Sequence, residues 1–372
     1  MIRKNCVICE KTEFIDNFKM ISTVNIVSED NYNDNENFNL NFIGCIDCGC
    51  VQLQNLFNPS EIYNQPLECF YGDTLKRHYE LFNDFIIKNI NYQENLFFEI
   101  GGSYGRLAKM IIEKYKEENI EIKYQILEFS SEQYPLIENV EYKSGNCENY
   151  IYTNINTIIM SHVFEHLYEP RKFIKKISDA NIKNIFISIP DMDGLTKNKD
   201  VNNLNILHTF YLNSKFLIYI FNEYGYELKD IYNYENNSIF YYFIKTQNTI
   251  KNIEYINIEL LETIKDFYED MQKLISNINI NTKFFICPSG FYGKFIYYYL
   301  VSNTKNNVIG FLDSDPKKIG KRLKGTKCKI YEKSIIKNYE NITILIVSEK
   351  HKNELKKELL TYNNNINFVT LT

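Results

Sequence analysis

Phe97-Phe98-Glu99-Ile100-Gly101-Gly102-Ser103-Tyr104-Gly105 is the stretch whose reading decides the fold. A short apolar strand, Leu96 to Ile100, runs into a glycine turn. The apolar spacing after the turn predicts a helix over Arg106 to Lys116. A second strand, Ile122 to Leu127, ends at Glu128. Strand, glycine turn, helix, strand and acid in that order form the first half of a nucleotide-binding α/β unit.

The turn reads Glu-x-Gly-x-x-x-Gly, not the Gly-x-Gly-x-x-Gly of dinucleotide enzymes. A dinucleotide sets its pyrophosphate on the helix N-terminus. S-adenosylmethionine (SAM) has no phosphate, so its turn needs only to let an amino-acid tail and a ribose approach the backbone. Glycine permits this because it lacks Cβ and tolerates positive φ. Glu128 lies 23 residues after Gly105. A carboxylate at that strand end can accept hydrogen bonds from both ribose hydroxyls. The expected cofactor is therefore SAM, bound by Glu99, Gly101, Gly102, Gly105 and Glu128, with Phe129, Asn146 and His162 completing the set. The plain alternative is that the glycines only close a turn and Glu128 is a solvated strand end.

Outward from the turn, strands and helices alternate from residue 96 to about 246. Strands are predicted at Thr157 to Ser161, Asn184 to Ile189, Tyr226 to Tyr232 and Ser238 to Lys245. Such alternation implies a mostly parallel sheet with helices on both faces. Residues 251–280 carry apolar side chains at helical spacing, including Ile256, Leu260, Ile264, Phe267, Met271 and Leu274, and read as a packed connector. A second α/β unit starts near Lys283. Its strand Phe284-Phe285-Ile286 meets the turn Pro288-Ser289-Gly290-Phe291-Tyr292-Gly293, and a later strand, Asn307 to Leu312, ends in Asp313-Ser314-Asp315. Backbone N–H groups at Ser289, Gly290 and Gly293 could meet a diphosphate; the bland reading is a structural remnant.

The N-terminal 60 residues read as cysteine-bearing and strand-poor, with an Asn/Asp-rich loop at Glu29 to Asn41. Cys6-Val7-Ile8-Cys9 and Cys45-Ile46-Asp47-Cys48 are two CxxC pairs. Each presents two thiolates from a knuckle, and together they complete a tetrahedral zinc site. Four thiolates leave the ion no open position, so the expected role is structural. Cys50 follows at once and could replace Cys48. The remaining cysteines, Cys69, Cys147, Cys287 and Cys328, read as ordinary buried residues.

Composition sets the outer limits. The chain has 372 residues, enough for two or three domains, and is 44% hydrophobic and 24% charged, as soluble globular proteins are. Its net charge of −5 gives no general attraction to nucleic acid. No apolar run approaches the length of a membrane span. The first residues lack the apolar core of a signal peptide. The expected compartment is cytoplasmic, with thiols reduced unless metal-bound, and the expected assembly a monomer or small homo-oligomer.

With these parts in order, the chain resembles the sugar C-methyltransferase family over nearly its whole length. The resemblance rests on Cys6, Cys9, Cys45 and Cys48 with the following Gly49-Cys50-Val51-Gln52-Leu53, on Tyr71 and His78 before the turn, on Glu99 to Gly105, on His162-Val163-Phe164-Glu165-His166, and on Ile189-Pro190. It implies a zinc-binding segment over 1–70, a doubly wound class I SAM methyltransferase domain over 71–246, a helical connector over 247–282 and a Rossmann-like α/β domain over 283–372. It also implies a nucleotide-linked deoxy, keto or amino sugar as methyl acceptor. Residues 309–320 are similar, too, to the nucleotide-sugar-binding domain of some sugar N-acetyltransferases. Two departures stand out. The family's turn carries an inner Asp where this chain has Tyr104. Where the family has Tyr-His-Glu-His, this chain reads Asn205-Ile206-Leu207-His208, so only the last histidine survives. That departure bears on methylation at carbon and leaves methyl transfer itself untouched.

Methyl transfer needs an aligned acceptor and a group that takes its proton. Histidine has a suitable pKa. His208 is the first choice for this base and His166 the second. His78 and Tyr71 are placed in the acceptor pocket. Oxygen or nitrogen methylation of a sugar or another small metabolite is the nearest alternative. A non-catalytic scaffold that keeps the fold is an alternative of another class.

Overall fold

A computed structural model describes residues 1–21, 27–28, 39–59, 73–91, 93–129, 134–192, 194, 204–234, 237–246, 259–276, 278, 280, 282–303, 307–348 and 351–370. Tyr71 and Cys69 lie outside the described residues. The chain forms two compact units. The first comprises Met1–Asn17, Phe42–Asn203 and Leu207–Leu261, and the second Phe18–Asn41, Leu204–Ile206 and Glu262–Thr372.

The N-terminal segment is richer in strand than its composition suggests. It contributes β1 (Phe14–Ile21), β2 (Val27–Ser28), β3 (Asn39–Cys45) and β4 (Val51–Leu53). Six of the seven β3 side chains are buried, so its two asparagines do not keep it out of a sheet. β3 and β4 pair antiparallel across the second cysteine knuckle. A four-stranded sheet is completed by a two-residue strand far along the chain, placed below.

The first unit is built on a seven-stranded sheet. Its strands are β5 (Leu96–Ile100), β6 (Lys123–Glu128), β7 (Val140–Ser144), β8 (Thr157–Ser161), β9 (Asn184–Pro190), then, after the short β10 (Phe210–Tyr211), β11 (Tyr226–Tyr234) and β12 (Ser238–Lys245). The order across the sheet is β11-β12-β9-β8-β5-β6-β7. Five strands run parallel, and the terminal hairpin β11–β12 joins β9 antiparallel. The sequence predicts all of these except β7, an edge strand with no buried residue and little apolar signal.

Both faces of this sheet are covered, which is why its strands are nearly continuous apolar runs. Alternate side chains serve opposite cores. Phe98, Ile100, Ile158, Met160, Ile185 and Ile187 join one core. Phe97, Tyr124, Ile126, Ile159 and Phe186 join the other. Helices α1 (Asp73–Asn89) and α2 (Arg106–Glu117) close the second face, with Phe82, Ile86, Leu107, Ile111 and Tyr115. Helices α3 (Pro170–Asp179) and α4 (Ser214–Glu223) close the first, together with Cys6, Ile8, Cys45 and Cys48. The knuckles thus pack as part of a sheet face.

The second unit contains α5 (Glu259–Ser276) in large part, and a five-stranded sheet from β13 (Phe284–Cys287), β14 (Val308–Asp313), β16 (Ile330–Glu332), β17 (Ile342–Ile346) and β18 (Ile366–Thr370), all parallel. Helices α6 (Phe291–Asn303) and α7 (Lys352–Tyr362) complete its crossovers, and β15 (Arg322–Leu323) pairs with β2. Among the described residues no helix is long and apolar enough to cross a membrane.

Candidate active site and cysteine centre

From β5 the chain winds outward through β6 to β7, then crosses back to β8 on the other side of β5. Ligands of open α/β sheets bind at such a reversal, outside the carboxyl ends of the strands. Parallel pairing brings Ile100 level with Leu127 and Met160. The turn Gly101–Gly105, Glu128 with Phe129, Gly145 with Asn146, and Ser161 with His162 therefore share one edge.

The glycine turn is shaped by its neighbours. Gly101 and Gly105 both have positive φ, 73° and 64°, and a Cβ would lie 2.5 Å from Val163 at the first and 2.4 Å from Ile137 at the second. Ser103, also at positive φ, donates its N–H to Glu128 Oε1 at 2.5 Å. Burial pushes the Glu128 carboxyl up to about 7, against the opposing pull of the Ser103 N–H and the Tyr134 hydroxyl. With those two bonds made, about two of a carboxylate's four lone-pair sites remain for a ligand. Phe129 beside it is 41% exposed at the same edge. Asn146 turns its Oδ1 to the Glu148 N–H at 2.8 Å.

Glu99 sits differently. It is buried beneath the turn, where Tyr124 donates its hydroxyl to Oε2 at 2.9 Å. Burial raises its pKa to about 8 despite that bond. A Cβ on Gly102 would lie 2.8 Å from the Glu99 carboxyl carbon. Glu99 and Gly102 therefore support the turn from below by direct packing.

Around β8 the structure assembles polar groups from distant parts of the chain. His162, at φ 53°, shares hydrogen bonds with Glu165 Oε1 (3.2 Å) and Ser238 Oγ (2.9 Å). Ser238 meets His78 Nδ1 at 3.1 Å, and His78 Nε2 meets Ser161 Oγ at 2.9 Å. His78 is buried in this chain, and burial, with the nearby His162, lowers its pKa to about 2. It is a neutral member of an internal network.

His166 and His208 lie together, with ring centroids 5.1 Å apart. A nitrogen of each, and a Glu165 oxygen, fall within 4.8 Å of one another. Burial would raise the Glu165 carboxyl, but the His162 hydrogen bond and the three surrounding histidines hold it down at about 2. Its Oε2 is buried and has no hydrogen-bond partner among the described residues. Burial pushes the His166 pKa below its ordinary value. Glu165 and His208 also line a cavity of about 10 Å³ with Pro190, Met192, Phe210 and Tyr211. An ionised carboxylate beside two imidazoles can take and hold a proton. Two imidazoles and a carboxylate are also a donor set for a divalent ion. In the sequence, Glu165 stands out only within the segment that carries the resemblance; its spacing of three from His162 is the local signal for their contact.

The cysteines form a compact centre. Cys6 Sγ lies 3.6 Å from Cys48 Sγ, and Cys9 Sγ 3.5 Å from Cys45 Sγ. All four sulfurs fall within 4.8 Å of one another. Tetrahedral zinc with Zn–S bonds of about 2.3 Å spaces its sulfurs by about 3.8 Å, so the set fits the ion. Hydrogen bonds from its neighbours lower the Cys45 thiol, and their sharing raises Cys48. Were all four deprotonated, thiolates this close would need a cation between them. Cys50 turns its thiol to the Val51 carbonyl at 3.6 Å and stands outside the set. Gln52 braces the first knuckle, accepting from Val7 N–H and donating to the Asn5 carbonyl.

In the second unit, Asp313 ends β14 as Glu128 ends β6. Its Oδ1 accepts the N–H groups of Ser314 and Asp315. Its Oδ2 accepts from the Ser289 hydroxyl and Lys318 Nζ. The chain's own donors thus fill this carboxylate. A Cβ on Gly293 would lie 2.5 Å from the Pro288 carbonyl, so this glycine lets the first turn of the helix close against the preceding turn.

No family model matches the chain. No curated protein matches it. Solved structures similar to it include a putative methyltransferase in complex with the Haloferax volcanii Trm112 methyltransferase activator, at 6% identity and a TM-score of 0.40 over 48% of this chain and 94% of that one. Another is magnesium protoporphyrin IX methyltransferase from Synechocystis PCC 6803, at 11% identity and a TM-score of 0.36 over 48% of this chain and 90% of that one. A putative S-adenosylmethionine dependent methyltransferase from Listeria monocytogenes is similar at 11% identity and a TM-score of 0.35, over 45% of this chain and all of that one. Likeness at this level carries no argument about the chemistry, which rests on the residues themselves.

Proposed function

We propose that the protein is a SAM-dependent methyltransferase whose acceptor is a nucleotide-linked sugar. The observation that carries the reading is Glu128 at the sheet reversal. It is anchored by Ser103 N–H yet keeps acceptor capacity at the strand end where a ribose would lie. When bound, SAM supplies a methyl group on a sulfonium whose charge is lost on transfer. Glu128 would accept the ribose hydroxyls, Phe129 would cover the base, and the backbone at Gly101 to Gly105 would admit the amino-acid tail.

His208 would take the acceptor's proton, and Glu165 would stabilise the resulting imidazolium. The ionised Glu165, with its unpartnered Oε2, supports this assignment. The sugar class rests on the resemblance stated above. With Leu207 in place of the family's acid, little is left to polarise a carbon acid, which tilts the reading towards oxygen or nitrogen, while the family resemblance favours carbon as the methylated atom. A structural zinc at Cys6, Cys9, Cys45 and Cys48 completes the proposal.

The test is incubation with SAM and a panel of nucleotide sugars, read by mass spectrometry and then by product NMR. A product one methyl group heavier is expected, and His208→Gln should lower kcat by about 10²-fold or more while SAM affinity holds. Turnover of an unlinked metabolite, with none of any nucleotide sugar, would remove the substrate assignment.

A further inference from the structure

Arg3 stands three residues before the first zinc-knuckle cysteine, and its side chain reaches the loops that carry both site histidines. Its Nη1 donates to the Thr209 carbonyl. Its Nη2 donates to Thr209 Oγ1 at 2.9 Å, to the Tyr168 carbonyl at 2.9 Å and to the Leu167 carbonyl at 3.2 Å. Thr209 follows His208, and Leu167 follows His166. One guanidinium thus ties together the two segments that meet around Glu165. The tie is reinforced by Thr209, whose N–H donates to the Glu165 carbonyl at 3.0 Å and whose hydroxyl donates to the Leu167 carbonyl.

These bonds all go to neutral acceptors, although Arg3 is buried. Glu148 is near enough to favour the charged guanidinium but accepts none of these bonds, so the fork itself is spent on the chain segments it grips. A planar fork of donors fixes the relative position of two chain segments in a way a single ammonium cannot. Arg3 is itself fixed from the cysteine side. Its N–H donates to the Gln54 carbonyl at 2.8 Å, just past β4. β4 pairs with β10, matching Gln52 to Phe210 and Val51 to Tyr211.

We propose that Arg3 is a positioning residue for the histidine cluster, setting the separation of His166 and His208 around Glu165 from within the cysteine segment. The cysteine centre then does more than stabilise the N-terminus, because it holds the residue that aligns the site. The inference rests on the reading of this cluster as the acceptor site, but its deciding readout, the imidazole spectra, requires no acceptor.

The chain has five histidines, few enough for each imidazole to be assigned in ¹H–¹⁵N spectra. In Arg3→Lys and Arg3→Met the His166 and His208 signals should move while those of His351, on the second unit, stay. SAM affinity should remain within about twofold of wild type, and kcat on an identified acceptor should fall by about 10²-fold with the KM for SAM unchanged. Lysine should fail to rescue. Thr209→Val removes the gripped hydroxyl but leaves the guanidinium, and should move the same two signals. Unmoved His166 and His208 signals in folded Arg3→Met or in Thr209→Val would overturn the proposal. So would movement of His351 equal to theirs, which marks general loosening. Absence of acceptor activity in the wild type, with the two signals still responding to the variants, would instead overturn the acceptor reading alone.

Discussion

Glu128 and Asp313 end corresponding strands of two α/β units, and their surroundings separate them. Asp313 is filled by four of the chain's own donors, whereas Glu128 accepts from Ser103 and Tyr134 and keeps room. Both were legible as acids after a glycine turn; which one stays open depends on donors the sequence does not mark. His78 makes a prediction at this scale. Its folded pKa of about 2 lies below its ordinary 6.5, so the unfolded state binds the extra proton. Stability should therefore fall as pH drops below about 6.5, with this contribution fully lost near about 2. His78→Gln keeps a polar group for Ser161 and Ser238 but cannot titrate. Its unfolding free energy from denaturant melts should fall less steeply than that of wild type between about pH 6.5 and 4.5. Parallel slopes would mean that His78 titrates normally. Arg3 and Ser238 carried no sequence signal, because their partners lie far away along the chain and only the fold joins them.

Among elements, the long apolar strands were readable because burial on both faces leaves few polar positions to confuse the pattern. The misread elements are those whose stability comes from pairing. β7 is an exposed edge strand held by β6, and β10 is two residues held by β4. β3 carries two asparagines yet is buried along most of its length. The same pairing makes the cysteine knuckles part of the wall that carries Phe210 and Tyr211. Cys48→Ser should accordingly lose the metal, and Cys50→Ser should retain about one zinc per chain by elemental analysis. Because the knuckles belong to a sheet-face core, the metal-free variant should also be less stable by about 2 kcal/mol or more. The reverse pattern would make Cys50 the ligand, and no zinc in the wild type would remove the centre altogether.

At the scale of the whole molecule, the two units share a design but differ in how many of the chain's own donors their strand-ending acids accept. The first places its glycine turn, Glu128, His162 and the histidine cluster along one edge of a sheet that reverses between β5 and β8. The second closes its corresponding turn with Ser289 and Lys318. The parallel strands and the acid that follows the glycine turn were legible from local patterns. The acid–histidine cluster was only half legible, since Glu165 acquires its role from neighbours at positions 162, 166 and 208. The central claim is that Glu128 marks a SAM site, and calorimetric titration of SAM into wild type and Glu128→Ala tests it most directly. The account predicts one SAM per chain in the wild type and a loss of about 1–3 kcal/mol in the variant, for hydrogen bonds to a charged group. No SAM binding by the wild type, or equal affinity in Glu128→Ala, would contradict it.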